Sequence, residues 1–308
     1  MPLRYPEWLS SGNGLLAVPL SAHVCASAFL GVIGAVGVLS RVGKANATMV
    51  TPAAAGSYTS TNWSGYADVV SSSSGYAFTA VSGKWTVPTV QAPTGSSSAY
   101  SAFWVGLDGF NSSTVEQTGV EAQITRGVAT YYAWYEMYPA AETEITTISV
   151  TAGDEITASV NYSGGNFTLS LTNNTTGKAY SVTESGASNS RTSAEWVAEA
   201  PTIQYRRGSE KLSTLADFGS VAFSDTSVSL ENSGGTVSIG SISGLPAVAS
   251  RDSIEMENSS GTPLAIPSGL TDSGSAFTVT YVPEPASLAF LALGIVGIPL
   301  LRRRQASR

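Results

Sequence analysis

The sequence predicts an all-β protein, folded as an antiparallel β-sandwich of two large sheets. Short runs rich in aromatic and β-branched residues, which alternate with polar ones, follow one another along the 308-residue chain. Turns of Gly, Ser and Asn separate these runs, and no run combines helical periodicity with capping residues. Many short strands with frequent turns are typical of sandwiches. The expected strand regions are residues 76–90, 99–107, 115–124 and 129–138, followed by a meander over 145–183.

The first part of the chain has the features of a signal peptide. Residues 24–39 are apolar, and Ala45-Asn46-Ala47 provides the small residues that a signal peptidase accepts. We therefore expect signal peptidase to remove residues 1–47. Arg41 and Lys44 lie between the apolar stretch and the cleavage point, so an uncleaved anchor is an alternative. Residues 48–60, mostly small, are expected to form a flexible linker before a single domain at 61–281.

The last part of the chain combines three features in sequence. Pro283-Glu284-Pro285 is followed by an apolar stretch, residues 286–301, and then by three arginines. This arrangement resembles the PEP C-terminal sorting tail of exported bacterial proteins. The resemblance implies that residues 282–308 anchor the chain in the membrane as a transient transmembrane helix. A membrane transpeptidase of the exosortase type would then remove this tail and leave the protein at the cell surface or outside the cell. An ordinary C-terminal anchor is the alternative.

Charge and composition exclude several classes of function. Residues 48–281 contain 20 Asp and Glu against 8 Lys and Arg, a net charge of 8 − 20 = −12. Such a surface disfavours nucleic acid or an anionic membrane as a partner, and it suits a protein that stays folded in acid. Cys25 and His23, the single cysteine and histidine, precede residue 48. Catalysis would therefore use carboxylates, amides, hydroxyls or lysine, and we predict no metal or cofactor.

Alternation along three of the predicted strands places acids, amides and aromatics together on one face of each strand. The opposite faces carry small and apolar residues that suit a core. Tryptophan and tyrosine beside carboxylates favour a binding groove over a solvated surface. The residues on these polar faces are Gln117, Gly119, Glu121 and Gln123 on one strand, Tyr132, Trp134, Glu136 and Tyr138 on the next, and Glu195, Val197 and Glu199 on the third.

Five segments in order resemble motifs of one family, the glutamic peptidases or eqolisins, over residues 61–281. They are Asn62-Trp63-Ser64-Gly65, Phe103-Trp104-Val105-Gly106-Leu107-Asp108-Gly109, Gln117-Thr118-Gly119, Ala133-Trp134-Tyr135-Glu136-Met137-Tyr138-Pro139, and the run from Arg191 to Glu199. The resemblance implies a concanavalin-like sandwich whose concave sheet binds polypeptide substrates. It implies Gln117 and Glu199 as the catalytic pair, and as substrate-binding residues Trp63, Trp104, Trp134, Asp108 and Glu136. Glu121 and Tyr132 replace acidic residues of the family pattern.

The expected chemistry is hydrolysis of peptide bonds in acid, by an exported endopeptidase. Glu199 would take a proton from water and return it to the leaving nitrogen, while Gln117 positions that water and donates to the oxyanion. With a pKa near its ordinary value, Glu199 would give maximal activity below about pH 5. Three alternatives stay open: a lectin-like carbohydrate-binding module, a glycoside hydrolase that uses Glu136 and Glu199, and a structural surface protein.

Overall fold

The computed structural model describes residues 41–42, 49–54, 56–186, 188–204, 209–232, 235–239 and 249–283. The apolar segments 24–39 and 286–301, on which the signal peptide and the transmembrane helix are predicted, lie outside these residues. Across the described ranges there is no helix with the length and apolar character needed to span a membrane.

The described chain is built almost entirely of strands. One short 3-10 helix, Asp272–Gly274, is the exception among the elements. The strands are β1 Arg41–Val42, β2 Met49–Ala54, β3 Ser57–Ser60, β4 Trp63–Val70, β5 Ala77–Thr86, β6 Ser98–Leu107, β7 Val115–Thr125, β8 Val128–Tyr138, β9 Thr143–Glu144, β10 Glu155–Ser163, β11 Asn166–Asn173, β12 Lys178–Ser185, β13 Ser193–Glu199, β14 Thr202–Gln204, β15 Glu210–Leu212, β16 Ser220–Asn232, β17 Gly235–Ile239, β18 Ala249–Glu257, β19 Pro263–Pro267 and β20 Phe277–Tyr281.

Two large sheets carry most of these strands. The first, the groove sheet, has the order β9, β8, β7, β6, β13, β4, β18. The second, the outer sheet, has the order β12, β11, β10, β5, β16, β20, β19. Pairing of β18 with β19 joins the two at one edge, and β1, β14 and β15 form a small separate sheet. Within both large sheets these neighbours are antiparallel, as the sequence predicted.

The core lies between the two large sheets. Apolar side chains that alternate along β6, β7 and β13 pack against those of β5, β10 and β11 in one buried cluster. Trp196 of β13 crosses this layer, and its indole Nε1 donates to the carbonyl oxygen of Ser82 on β5 at 2.7 Å. Burial of a large apolar side chain contributes about 1.5–3 kcal/mol, so this layer accounts for much of the stability. The side chains that alternate with these core residues along β6, β7 and β13 therefore point to the other face of the groove sheet.

The structure corrects three expectations about secondary structure. Residues 57–60, expected to lie in a flexible linker, form β3, which pairs in parallel with β18, because extended backbone can pair whatever its side chains are. The strand expected to reach residue 90 ends at Thr86, since Pro88 has no N–H to donate to a neighbouring strand. The expected meander begins at Glu155, because the buried Ile145 and Ile148 are three residues apart and flank a turn.

Candidate active site

The free face of the groove sheet presents three rows of side chains that run across the strands. Backbone register aligns one row as Glu195, Gly106, Gln117 and Glu136, the next as Val197, Trp104, Gly119 and Trp134, and the third as Glu199, Ala102, Glu121 and Tyr132. The polar faces that alternation predicted on three separate strands therefore form one surface. The strands that carry them are neighbours, apart from β6, which contributes its own alternating residues between them.

Glycine makes room for the central tryptophan of this surface. A Cβ atom on Gly119 would lie 2.3 Å from the carbonyl oxygen of Phe103 and 2.5 Å from Cβ of Trp104. Contacts this short with backbone cannot be relieved by a side-chain rotation. Trp104 therefore lies against the backbone of β7, and its ring meets that of Trp63 edge to face at 4.9 Å.

Glu199 is buried and is held by two donors from neighbouring strands. The indole Nε1 of Trp104 donates to its Oε2 at 2.8 Å, and Nδ2 of Asn62 donates to its Oε1 at 3.3 Å. The pKa of Glu199 is raised to about 8, chiefly by burial and in part by the nearby carboxyl of Glu136, while the hydrogen bond from Trp104 acts in the opposite direction. The expectation of an ordinary pKa for Glu199 is therefore wrong for this groove.

Gln117 is fully buried, and its amide is fixed by a second carboxyl. Its Nε2 donates to Oε2 of Glu136 at 2.6 Å. Burial raises the pKa of Glu136 to about 7, although the hydrogen bond from Gln117 lowers it. The amide oxygen of Gln117 accepts no hydrogen bond from the part of the protein that the structure describes. Since Glu136 also raises the pKa of Glu199, the amide and the two carboxyls lie within electrostatic range of one another.

The three predicted tryptophans form the walls of this surface. Trp63, Trp104 and Trp134 are at most 3 % exposed, and they pack in one apolar cluster with Ala102, Val115 and Val197. The cluster keeps water away from the carboxyls of Glu199 and Glu136. This burial explains why the pKa values of both carboxyls are high.

Asp108 lies apart from this group. Its carboxylate accepts hydrogen bonds from Oγ of Ser190 at 2.8 Å, from the backbone N–H of Arg191 at 2.7 Å and from that of Thr192 at 2.9 Å. These contacts fasten the segment that leads into β13. Of the seven predicted site residues, the structure brings six together, namely Glu199, Gln117, Glu136 and the three tryptophans, and it places Asp108 next to the start of the strand that carries Glu199.

Two features of the site were not predicted as functional. Asn62 lay within a recognised motif but was not assigned a role, and the structure shows it bonded to Glu199. Glu142 follows the strand that carries Tyr132, and the tyrosine hydroxyl donates to its Oε1 at 2.9 Å. No periodic pattern marks Glu142, because it lies in a connection between strands. Among the described residues there is no group of three or more His, Cys, Asp or Glu that could hold a metal ion.

A β-sandwich with buried carboxyls and a fixed amide on one face defines a class of hydrolase that works without histidine or cysteine. The model of the Peptidase A4 family matches residues 61–281, and that of the PEP-CTERM protein-sorting motif matches residues 282–305. The chain belongs to the Peptidase A4 family, the eqolisins, and it is a glutamic endopeptidase. The predicted family, enzyme class and sorting motif are thus confirmed, and the peptidase is favoured over the lectin-like, glycosidase and structural alternatives.

Relatives and solved structures agree with this assignment. The chain is 32 % identical over 247 residues to aspergillopepsin-2 of Aspergillus niger, covering 72 % of this chain and 78 % of that protein. It is 36 % identical over 158 residues to scytalidopepsin B of Scytalidium lignicola, covering 49 % and 58 %. The crystal structure of scytalido-glutamic peptidase with a transition state analog inhibitor matches with a TM-score of 0.58 and 29 % identity, covering 72 % of this chain and 98 % of that one. The predicted sandwich is confirmed.

Proposed function

We propose that Glu199 and Gln117 are the catalytic pair with which this endopeptidase hydrolyses polypeptides. One observation carries the proposal: the carboxyl of Glu199 is fixed by Trp104 and Asn62, and it is charge-coupled to the pair formed by Gln117 and Glu136. A carboxyl that can move protons thus shares a desolvated face with an amide whose orientation is set. Such preorganisation is the largest source of rate enhancement in many hydrolases.

The raised pKa of Glu199 fixes the order of the proton transfers. In acid its carboxyl starts protonated, because burial holds its pKa at about 8. It donates that proton to the scissile carbonyl oxygen while its second oxygen takes a proton from the attacking water. A neutral tetrahedral diol and a protonated Glu199 result. The carboxyl then protonates the leaving nitrogen and takes a proton from one diol hydroxyl as the C–N bond breaks, which regenerates the acid.

Gln117 serves both the water and the developing charge on the carbonyl oxygen. One hydrogen of its Nε2 is bonded to Glu136, which leaves the second hydrogen to donate to the carbonyl oxygen during the reaction. Its Oε1 is a buried acceptor without a donor among the described groups, and it suits the attacking water. Trp63, Trp104 and Trp134 line the groove beside this point and supply apolar contact to substrate.

Digestion of casein by purified variants between pH 4 and pH 9 tests this proposal. Glu199→Gln and Gln117→Ala should each lower kcat/KM by about 10²-fold or more, with circular dichroism unchanged. Gln123→Ala is the matched control, because Gln123 alternates onto the same face of β7 but lies at the end of the strand. Parent-like cleavage by Gln117→Ala would exclude the role given to the amide.

The same experiment reports the pH dependence. Activity requires protonated Glu199, so kcat/KM should be retained in acid and decline as pH rises through about 7 to 8, where first Glu136 and then Glu199 ionises. With an ordinary glutamate pKa, kcat/KM would decline near pH 5. The raised pKa values move the expected decline to higher pH. A rate that increases from pH 5 to pH 8 would contradict the proposed order of proton transfers.

We also propose that the protein is exported and held at the membrane until its tail is cut. The match of the PEP-CTERM motif to residues 282–305 supports surface association and processing by an exosortase-type enzyme. Signal peptidase would remove residues 1–47. Mass spectrometry of the protein recovered from its cells should give a chain that begins at Thr48 and ends within the Pro-Glu-Pro motif. Recovery of the intact 308-residue chain from the cell surface would contradict both cleavages.

A further inference from the structure

Glu121 is a further buried carboxyl on the groove face, and it has no part in the proposed reaction. Glu121 of β7 is 0 % exposed, and neither of its carboxyl oxygens has a hydrogen-bond partner among the described residues. A buried carboxyl without a partner is costly, so its retention calls for a functional reason. The pKa of Glu121 is raised well above its ordinary value, chiefly by burial and in part by Glu142 and Glu199, so Glu121 lies within electrostatic range of both groups.

The residues around Glu121, called the recess below, lie in the same row as the proposed catalytic carboxyl of Glu199. Glu121 and Glu199 are two strands apart in the same row, about 10 Å between Cα atoms, and Ala102 is the residue between them. Ala102 contributes only a methyl group to this row, so no larger side chain of β6 stands between the two carboxyls. Tyr132 closes the row on the far side, and its hydroxyl is bonded to the half-buried Glu142 at the rim.

The recess is acidic, and no ion pair with a basic residue of the described ranges neutralises it. Glu121, Glu142 and Glu199 surround it, and Glu144 of the edge strand β9 lies close enough to act on the pKa of Tyr132. The ion pairs of the described structure join Lys84 to Glu155, Arg191 to Glu231 and Arg251 to Asp68, and none of them involves these carboxyls. A ligand that brings its own positive charge would therefore complete the site.

We propose that this recess is a specificity subsite that takes the cationic side chain of a substrate lysine or arginine next to the scissile bond. The inference rests on the proposed catalytic role of Glu199, whose carboxyl borders the recess. A lysine ammonium has three donors, enough for Glu121, for Glu142 and for the hydroxyl oxygen of Tyr132, which still has a free lone pair. A neutral side chain of the same length would leave Glu121 without a partner.

Binding of a cation in this subsite is coupled to pH. The groups that face Glu121 from β8, from β13 and from the segment after β8 are Tyr132, Glu199 and Glu142, and none of them is basic. In acid these carboxyls are protonated, and a cation must displace protons to form an ion pair. The preference for lysine over a neutral side chain should therefore increase with pH, by up to about tenfold per pH unit for each proton released.

Two peptide series test the subsite. Quenched fluorescent peptides carry either lysine or norleucine at one of the two positions that flank the scissile bond, and kcat/KM is measured at pH 4, 5 and 6. At one position the parent should prefer lysine by at least about tenfold at pH 6, and less at pH 4. The ratio of the two rates cancels the titration of Glu199, since both peptides use the same catalytic group.

Three variants separate the subsite from general effects. Glu121→Gln and Glu142→Gln should each bring the lysine-to-norleucine ratio close to one, and the half-buried Glu142 keeps the test available if Glu121→Gln does not fold. Glu116→Gln is the matched control, because Glu116 is an equally buried carboxyl on the opposite face of β7, bonded to Asn189. That variant should leave the ratio unchanged.

The outcomes distinguish this inference from the proposed function. Cleavage of both peptides with a ratio near or below one at every pH overturns the subsite and leaves the catalytic pair standing. A parental preference for lysine that survives both Glu121→Gln and Glu142→Gln also overturns it. If the parent cleaves neither the lysine peptide nor the norleucine peptide, the proposed catalytic pair is overturned, and the subsite with it.

Discussion

The two faces that point away from the shared core differ in chemistry, although both sheets alternate in the same way. On the outer sheet one row consists of serine on five neighbouring strands, Ser227, Ser82, Ser159, Ser170 and Ser181, and the last two share a hydrogen bond of 2.9 Å at the exposed surface. On the groove sheet all seven residues of β13 are buried, and the corresponding face carries carboxyls, an amide and indoles. Alternation along a strand determines which side chains point away from the core. It does not determine whether those side chains are exposed to solvent.

This difference has an energetic consequence. Hydroxyls on the outer sheet are solvated or bonded to each other, so they cost little. Carboxyls on the groove sheet and at its end are desolvated, and burial is the first cause of every large rise in their pKa. The groove sheet is thus the part of the fold whose stability depends on protonation, and the stability of the outer sheet should be nearly independent of pH.

The largest expected effect is on stability as a function of pH. A carboxyl whose pKa is higher in the folded than in the unfolded protein stabilises the fold fully below its unfolded pKa, about 4.5, and this stabilisation is lost as pH rises through the folded value. Each group lowers the free energy of unfolding by about 1.4 kcal/mol per pH unit in that window. Burial raises the pKa of Glu116 to about 9, that of Glu199 and of Glu142 to about 8, and that of Glu136 to about 7, and these values are the upper ends of the windows.

Urea unfolding at pH 4.5, 6, 7 and 8 measures this effect. The midpoint should fall steadily with pH, and Glu116→Gln should make the decline shallower, because it removes the group with the widest of these windows. Glu155→Gln, on the outer sheet and 45 % exposed, should leave the slope nearly unchanged. A midpoint that rises between pH 4.5 and pH 8 would show that the groove carboxyls are not desolvated.

A second prediction concerns glycine in the two sheets. Gly119→Ala should destabilise the protein by about 3 kcal/mol or more, because the new methyl group meets the backbone of β6. Gly177 lies in the turn between β11 and β12, and no atom lies within 4 Å of the Cβ that Gly177→Ala would add. The expected cost is therefore the strain of an alanine at the φ of +69°. This cost should be near 1 kcal/mol. Thermal unfolding measures the loss of stability in the two variants. Equal losses in Gly119→Ala and Gly177→Ala would contradict this prediction.

A third prediction concerns Asp108, which was predicted to bind substrate and is found fastening the start of β13. Asparagine tolerates the positive φ of 66° that Asp108 adopts. In Asp108→Asn, however, an NH₂ group replaces one carboxylate oxygen and faces the backbone N–H of Arg191 or of Thr192. The free energy of unfolding should fall by about 1–3 kcal/mol. The KM for peptide should stay within twofold of the parent if the contact is structural. A large rise in KM with full stability would restore the substrate-binding role.

The smallest effect is expected on the outer sheet. Ser170→Ala and Ser181→Ala remove an exposed hydroxyl pair, and each should change the free energy of unfolding by less than about 0.5 kcal/mol at every pH. Denaturation at pH 5 and pH 8 checks this. A pH-dependent loss in either variant would mean that the serine row is coupled to the groove.

Much of the candidate site could be predicted, because the proposed catalytic residues lie on strands whose alternation is strong. Gln117, Glu136 and Glu199 were placed on polar faces from sequence, and the cross-strand register brings those faces together. Glu142 could not be found in this way, since it lies between strands and gains its role through Tyr132. The parallel pairing of β3 was missed for a similar reason, as its partner β18 is distant in sequence.

The sequence by itself determined the strands, their two faces and the absence of histidine and cysteine from residues 48–281, because side-chain period and composition are properties of the chain. The tertiary structure decided that the face with Glu121, Glu136 and Glu199 is buried. It also decided that Trp104 and Asn62 donate hydrogen bonds to Glu199, and that Asp108 is hydrogen-bonded to the segment before β13. Burial and register arise from pairing between distant segments. The pKa of a carboxyl depends on both, so the protonation state of the catalytic groove follows only from the folded protein.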